Sequence, residues 1–340
     1  MNETVVPSID VVIPVYNAPE LTRRCIDSAV SCLSESIEHI YIQNDASNIE
    51  TREMLDSLSY DIIHIYHAIK NQGFGASVND AVSRSSASYI LVLNSDTEIN
   101  ENILPPLCEA MSVDSKLAVV IPASNDYIVE DFDRYLRQPG RYIRTHRLRG
   151  YAFLIRRSVF QEIGGFDPIF GRGYYEDIDL GRRIYERNWC IGVYPGSSIY
   201  HKGGGSFGRG SAYRKLKQRN RALYFARYPS AQRNVLLLSE VCSLSDFPQN
   251  LLNTIDDVYQ RGGVLHWLST ETTIKSPCLH MRNRPANLWV VLELMIFYGW
   301  WRKDKRISDV WLLLPRNSSF LCKPLALLSK MRGIKMLVWE

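Results

Sequence analysis

The chain has 340 residues, 46% of them hydrophobic, which is enough for two domains and a sizeable buried core. Forty Lys and Arg against thirty-six Asp and Glu leave a net charge of only +4 with no long basic run, which speaks against a nucleic-acid partner. The seven cysteines form no CxxC pair, so neither a disulfide framework nor a zinc cluster is indicated, and a reducing, cytoplasmic setting is expected.

The opening residues carry no basic n-region and no long apolar h-region, so no signal peptide is expected. Ile9 to Val15 (IDVVIPV) is a β-rich apolar run closed by Tyr16, Asn17 and Pro19. Residues 20–33 read as an amphipathic helix with Leu21, Cys25, Ser28/Ala29 and Cys32/Leu33 on its apolar stripe. His39 to Gln43 is a second strand, leaving through Asn44, Asp45, Ala46 and Ser47. A helix over Thr51 to Leu58 and a strand over Ile62 to Tyr66 follow, and Gly73-Phe74-Gly75 opens another helix. Tyr89 to Leu93 is a fourth strand, ending at Asn94-Ser95-Asp96, and Leu117 to Ile121 a fifth. Repeated strand–helix units of this length predict an α/β fold with a mainly parallel sheet. Ligands of such sheets bind beyond the carboxyl ends of the strands, and the polar clusters fall at that edge.

Beyond residue 150 the pattern is less regular. Gly150 to Arg156 reads as a strand, Asp177 to Arg187 as a helix, 189–194 as a strand, 201–210 as a Gly-rich loop and Tyr213 to Tyr228 as a basic helix. After Pro229 a second α/β pattern begins, with strands at Val235–Glu240, Val264–Ser269, Val310–Leu314 and Met336–Trp339 and helices at Pro248–Gln260 and Lys323–Arg332. A boundary near 230 therefore separates a domain of residues 1–229 from a smaller Rossmann-like unit of residues 230–340. That unit stops directly after a strand, so either this strand closes a small sheet or the chain is part of something longer.

Three clusters carry chemistry. A carboxylate at the Asn44–Ser47 turn can accept a hydrogen bond from a base N–H, although Asn, Asp and Ser also make ordinary turns and caps. Asp96, delivered by an apolar strand, is placed to bind a divalent cation such as Mn²⁺ or Mg²⁺, or simply to make a turn. Glu176, Asp177 and Asp179 open a helix, where its dipole stabilises them. Beside them GRGYY reads as a mobile aromatic loop, with Tyr174 and Tyr175 suited to receive a sugar. A carboxylate there can take a proton from an acceptor hydroxyl. His201, leaving a strand into a Gly-rich loop, is placed to meet a metal or a pyrophosphate.

Together these segments resemble the family 2 glycosyltransferases of GT-A fold, especially the rhamnosyltransferase-like and galactofuranosyltransferase-like branch, over roughly residues 9–228. VVIPVYN matches the opening strand, NDASN the base-binding turn, NQGFGASVNDAV the segment before the metal motif, and LNSDTEI the DxD position. IRRSVFQEIGGFDPIFGRGYYEDIDLGRR matches the acceptor loop and ED motif, and IYHKGGGSFG the late segment with the metal-completing histidine. The resemblance implies Pro14, Tyr16, Asn17, Asn44, Asp45, Asn71, Gly75, Asn94, Ser95 and Asp96 at the nucleotide sugar. It implies Tyr174, Tyr175 and Glu176 at the acceptor, Asp177 as catalytic base, and Asp96 with His201 on the metal. Two departures stand out: Asn94 occupies the first acidic position of DxD, and the base-binding turn has Asn then Asp where many relatives have the reverse. The expected reaction is metal-dependent, inverting transfer from a UDP- or dTDP-sugar, dTDP-rhamnose first, to a surface glycan or lipid-linked oligosaccharide.

The segment DVWLLLPRNSSFLCKPLALLSKMRGIKMLVWE resembles part of the amino-terminal half of a GT-B glycosyltransferase; a generic docking module reads equally well. Leu288 to Trp301 (LWVVLELMIFYGWW) is too short to span a bilayer and is followed by Arg302, Lys303, Lys305 and Arg306. It reads as a buried helix or as an interfacial anchor, so at most peripheral contact with the inner membrane face is expected. Two rival functions stand beside this reading. A nucleotide-binding oxidoreductase would need GxGxxG after the first strand, where PVYNAPE stands. A non-catalytic carbohydrate-binding or scaffold protein would be favoured by loss of Asp96 or Asp177, and both are present. The sequence leaves the oligomeric state open.

Overall fold

The computed structural model describes residues 7–125, 129–203, 210–240, 243–270, 275–298, 300, 305–313 and 320–339. The chain forms two compact units, residues 1–132 with 137–224, and residues 133–136 with 225–340.

The first unit opens with β1 (Ile9–Val15), α1 (Pro19–Leu33), β2 (Ile40–Asn44), α2 (Ile49–Asp56), β3 (Ile63–His67), α3 (Phe74–Val82) and β4 (Tyr89–Leu93). It continues with β5 (Thr97–Ile99), α4 (Leu104–Val113), β6 (Leu117–Ser124), β7 (Ile143–Thr145), β8 (Ala152–Arg156), α5 (Arg157–Glu162), α6 (Glu176–Glu186), β9 (Cys190–His201) and α7 (Ser211–Arg227). Among the described residues the strands form one sheet in the order β3-β2-β1-β4-β8-β6-β9-β5, with β7 on β9. The first four strands are parallel; β8 enters antiparallel to both β4 and β6, and β6 and β9 are parallel again. Every residue of β1 and of β6 is buried, which is why both read as unbroken apolar runs.

The sequence misses β5, β7, α4 and α5, since three-residue strands and a six-residue helix carry almost no periodicity and LPPLCEAMSV is apolar nearly all round. On α1 the buried stripe is Thr22, Cys25, Ile26, Ala29 and Leu33, while Leu21 and Cys32 stand at its half-buried margins. The expected stripe was therefore rotated about one residue.

The second unit contains β10 (Asn234–Ser239), α8 (Gln249–Gln260), β11 (Val264–Ser269), β12 (Met281–Pro285), α9 (Leu288–Leu292), β13 (Asp309–Leu313), α10 (Cys322–Arg332) and β14 (Lys335–Trp339). Its strands are all parallel in the order β12-β11-β10-β13-β14. One core joins α8 to the sheet through Leu251, Ile255 and Val258 against Val235, Leu237 and Trp267. The other joins Val291, Leu294, Met295, Leu321 and Leu325 to Leu236, Leu238 and Val310.

The Leu288–Trp301 stretch is not one buried helix. It is α9 followed by a π-helical turn over Glu293–Phe297, with Val291, Leu294 and Met295 inward and Trp289 and Phe297 exposed. Gly299 and residues 301–304 lie outside the described residues, as do residues 204–209 of the Gly-rich loop and Leu314. Among the described residues no helix is long and apolar enough to cross a membrane.

Candidate active site

The carboxyl ends of β1, β2 and β4 and the start of α3 surround one pocket, lined by Pro14, Val15, Tyr16, Asp45, Asn71, Gly73, Phe74, Ser77 and Asn94. After β1 the chain turns through Asn17 and Ala18, both left-handed at φ 58° and 56°. Such strain persists only where neighbours fix it. Here Asn17 N–H donates to Ser47 Oγ at 2.9 Å, and Asn48 N–H donates to Asn17 Oδ1 at 2.8 Å. Asn17 therefore locks two strand exits together. Asn44 also holds the frame: its Oδ1 accepts Ser47 N–H at 3.1 Å and its Nδ2 meets His67 Nδ1 at 2.7 Å.

Asp45 is buried, and both of its oxygens already accept backbone hydrogen bonds, from Gln72 N–H at 2.6 Å and Gly73 N–H at 2.7 Å. The carboxylate thus ties the β2 exit to the start of α3. The pocket-lining atoms buried without a hydrogen-bond partner are Asn71 Oδ1 and Ser77 Oγ. Leaving such atoms unpaired costs about 1–3 kcal/mol each, so the pocket is built for a ligand with polar edges. Gly75 does not line it: a Cβ there would press on Phe166 Cβ at 2.8 Å, so this glycine serves helix packing. Gly73 has φ 95°, and a Cβ on it would overlap the Gly171 carbonyl oxygen and Arg172. Only glycine lets the loop before α6 rest directly on the pocket wall.

The exit of β4 is set by Asn94, whose Oδ1 accepts Ser95 N–H at 3.1 Å, and Ser95 is buried. Antiparallel pairing of β5 with β9 places Thr97 opposite His201. This register brings His201 Nε2 to 3.3 Å from Asp96 Oδ1, with the Tyr151 ring stacked on the imidazole at 5.4 Å between centroids. Two donors at right angles on an ion with bonds of about 2.1 Å stand about 3 Å apart, so this nitrogen–oxygen pair fits a shared Mn²⁺ or Mg²⁺. Among the described residues no group of three His, Cys, Asp or Glu comes together as a metal cage. The remaining positions on such an ion would fall to ligand oxygens and water.

The three acids of α6 differ sharply. Asp179 is fully buried and salt-bridged to Arg183 at 2.8 Å, whose guanidinium also holds the Ile163 and Gly165 carbonyls. Burial, reinforced by the Asp177 charge, pushes the Glu176 carboxyl up to about 8. Burial also raises Asp177, but Ile178 N–H at 2.8 Å, Gly150 N–H at 3.3 Å and the charges of Arg149 and Arg147 all favour its ionised form. A Cβ on Gly150 would touch both Asp177 Oδ2 and the Phe74 ring at 3.7 Å, so Asp177 stands next to the pocket wall.

The aromatic loop before these acids is pinned rather than loose. Tyr174 and Tyr175 are both left-handed, at φ 71° and 74°. Tyr174 packs edge-on against Tyr213, and Tyr175 lies tilted at 45° against Tyr224. Buried Asn220 of α7 donates through Nδ2 to the carbonyls of Phe170, Gly173 and Tyr174 at 2.7, 2.7 and 3.0 Å. The glycines predict mobility, but this one amide reaches three loop carbonyls. Sequence reasoning has no signal for Asn220, because one Asn in KLKQRNRALYF reads as a solvated face. Asn220→Leu is expected to lower unfolding free energy by about 2 kcal/mol, by leaving those carbonyls without their donor. An unchanged urea midpoint would refute the anchor.

Residues 10–171 match the family model described as Glycosyl transferase family 2. The chain is 28% identical over 192 residues to an uncharacterized glycosyltransferase (RP339) of Rickettsia prowazekii, covering 53% of this chain and 59% of that protein. A shorter segment of 65 residues is 38% identical to the N-acetylglucosaminyl-diphospho-decaprenol L-rhamnosyltransferase of Mycobacterium tuberculosis, covering 19% of this chain and 21% of that protein. Among solved structures, GalNAc-T7 with UDP, GalNAc and Mn²⁺ superposes with a TM-score of 0.53 at 15% identity, over 75% of this chain and 55% of that one. This likeness bears on the fold, which is of GT-A type. The chain spans less than two thirds of the length of these relatives.

Proposed function

From the premise that residues 10–171 of this chain belong to glycosyltransferase family 2, we propose an inverting transferase that moves a sugar from a nucleoside diphosphate to a carbohydrate hydroxyl. The observation that carries this reading is the inequality of the three acids. Asp179 is committed to Arg183, burial and the Asp177 charge push Glu176 up to about 8, and Asp177, beside the pocket, is the acid whose anion the Ile178 and Gly150 amides and the charges of Arg149 and Arg147 favour against its burial. Pairs of carboxyls driven apart in this way identify the acid–base group.

The nucleoside enters between Tyr16, Asn71, Phe74 and Ser77, where two buried polar atoms await partners. Asp45 fixes the Gln72–Gly73 backbone that forms the pocket's floor. Asp96 and His201 would hold a divalent ion, Mn²⁺ or Mg²⁺, which would supply positive charge to the leaving diphosphate. Asp177 takes the proton of the acceptor hydroxyl, whose oxygen forms the new bond to the anomeric carbon. The bond to the diphosphate oxygen breaks on the opposite face, and the configuration inverts. Tyr174 and Tyr175 flank the acceptor.

The 38% identical segment favours a deoxysugar donor of the rhamnose type, and a lipid-linked glycan is the acceptor class proposed. The test is a donor panel of UDP-, dTDP- and GDP-sugars with Mn²⁺, read by mass spectrometry with and without acceptor oligosaccharides. Consumption of a UDP- or dTDP-sugar that an acceptor accelerates is expected. If no donor is consumed while nucleotide still binds, the chain is a carbohydrate-binding scaffold instead.

A further inference from the structure

His67 takes no part in the transfer itself, yet it begins a chain of hydrogen bonds that ends at the donor pocket. It stands at the carboxyl end of β3, the edge strand, in register with Asn44 of β2. Asp56 of α2 meets its Nε2 at 2.9 Å, and Asn44 Nδ2 meets its Nδ1 at 2.7 Å. Asn44 Oδ1 accepts Ser47 N–H at 3.1 Å, Ser47 Oγ accepts Asn17 N–H at 2.9 Å, and Asn17 Oδ1 accepts Asn48 N–H at 2.8 Å. The turn held in this way carries Asp45, which lines the pocket.

This chain fixes the protonation of the ring. A backbone N–H can only donate, so the Asn44 atom facing Ser47 is its carbonyl oxygen and the group facing His67 is its NH₂. His67 Nδ1 is therefore an acceptor, and the neutral ring carries its proton on Nε2, which donates to Asp56. A second proton would set Nδ1–H against the Asn44 NH₂. The amide would have to turn over, and Ser47 N–H would lose its acceptor. The turn does not hold itself: Ala46 lies at φ 56° and Asn17 at φ 58°, left-handed values that residues other than glycine keep only where neighbours fix them. The His67 side chain is 23% exposed, so solvent protons reach it, and Asp56 on the far side of the ring also faces Arg52 at 3.8 Å.

We propose that His67 is a positioning residue of the donor pocket: its neutral ring holds Asn44, and through Asn44 the turn that carries Asp45, and protonation of the ring releases that turn. Asp45 also accepts the Gln72 and Gly73 amides, so a released turn loosens the start of α3 along with the β2 exit. Acid therefore weakens the pocket through a residue that touches no substrate. The inference rests on the transferase reading only where it calls the pocket's ligand a nucleotide donor.

Hydrogen exchange of the Ser47 amide in the full chain, corrected for the intrinsic effect of pH on exchange, is compared between about pH 8 and about pH 5, the range in which imidazoles ordinarily titrate. Protection at the upper pH and its loss by about tenfold or more at the lower one are expected. His67→Leu is expected to lose the protection already at the upper pH and to show no further acid step. Asp56→Asn keeps an oxygen for Nε2–H but removes the anion that favours the ring cation, so its step is expected at lower pH. A purely structural histidine would show no such displacement. UDP binding by calorimetry is expected to weaken in parallel, about tenfold in His67→Leu at the upper pH. Constant Ser47 protection across the range overturns the proposal, as does an acid step that survives His67→Leu or that Asp56→Asn leaves in place. A parent chain that binds no UDP at either pH counts against the transferase reading, and the exchange result still decides whether His67 holds the turn.

Discussion

Asp177→Asn is expected to lower turnover by about a hundredfold or more while leaving donor affinity within a few-fold of the parent chain. The amide keeps the shape of the carboxylate and can still meet Gly150 N–H, but it cannot take a proton. Phe74 lines the pocket and Asp177 does not, so nucleotide binding measured by calorimetry should survive. The pH dependence adds an independent check. Asp177 acts as a base only when ionised, so the rate is low below its pKa and rises through it. Burial raises that pKa, which moves the acid limb above the ordinary aspartate range. Glu176, pushed up to about 8, is mostly protonated at neutral pH and adds no anion there. If Asp177→Asn keeps near-normal turnover, the base is elsewhere. Glu176 then becomes the candidate, and the rate should climb toward pH 8.

Chelation with EDTA is expected to stop transfer, and Mn²⁺ or Mg²⁺ to restore it. Asp96→Ala should reproduce the loss by about a hundredfold or more, since charge developing on the diphosphate would lose its counter-ion. His201→Ala should act in the same direction. Calorimetric titration of Mn²⁺ in the presence of UDP separates a binding defect from a catalytic one, with weakened ion binding expected in both variants. The neutral amide of Asn94 at the first DxD position predicts an ion that binds well only once the diphosphate is present. Full activity in metal-free buffer would remove Asp96 and His201 from this role.

Much of the architecture was legible in local pattern. The apolar run IDVVIPV, the YILVL strand and the polar exits NDAS and NSD follow from periodicity and turn chemistry that neighbouring residues set alone. The acid-rich start of α6 was legible for the same reason, because three acids in one helical turn need no distant partner to be recognised. Gly75 and Asp45 show where local pattern stops. The resemblance implies both at the nucleotide sugar; a Cβ on Gly75 would press on Phe166, while Asp45 lines the pocket and its two oxygens also accept the Gln72 and Gly73 amides.

Local pattern alone therefore set the strand–helix alternation, the sheet edge at which the polar strand exits gather, and the identity of the acids near it. The tertiary structure decided how those residues are used. It brought His201 to Asp96 through the β5–β9 register, pressed the Gly171–Arg172 backbone onto Gly73, and hung the Tyr174–Tyr175 loop from Asn220. It also set the three acids apart: Asp179 is ion-paired to Arg183, burial with the Asp177 charge pushes Glu176 up to about 8, and amide donors and the charges of Arg149 and Arg147 oppose the rise that burial gives Asp177. The physical reason is that ionisation and loop geometry depend on burial and on partners from other parts of the chain, which periodicity along the sequence does not encode.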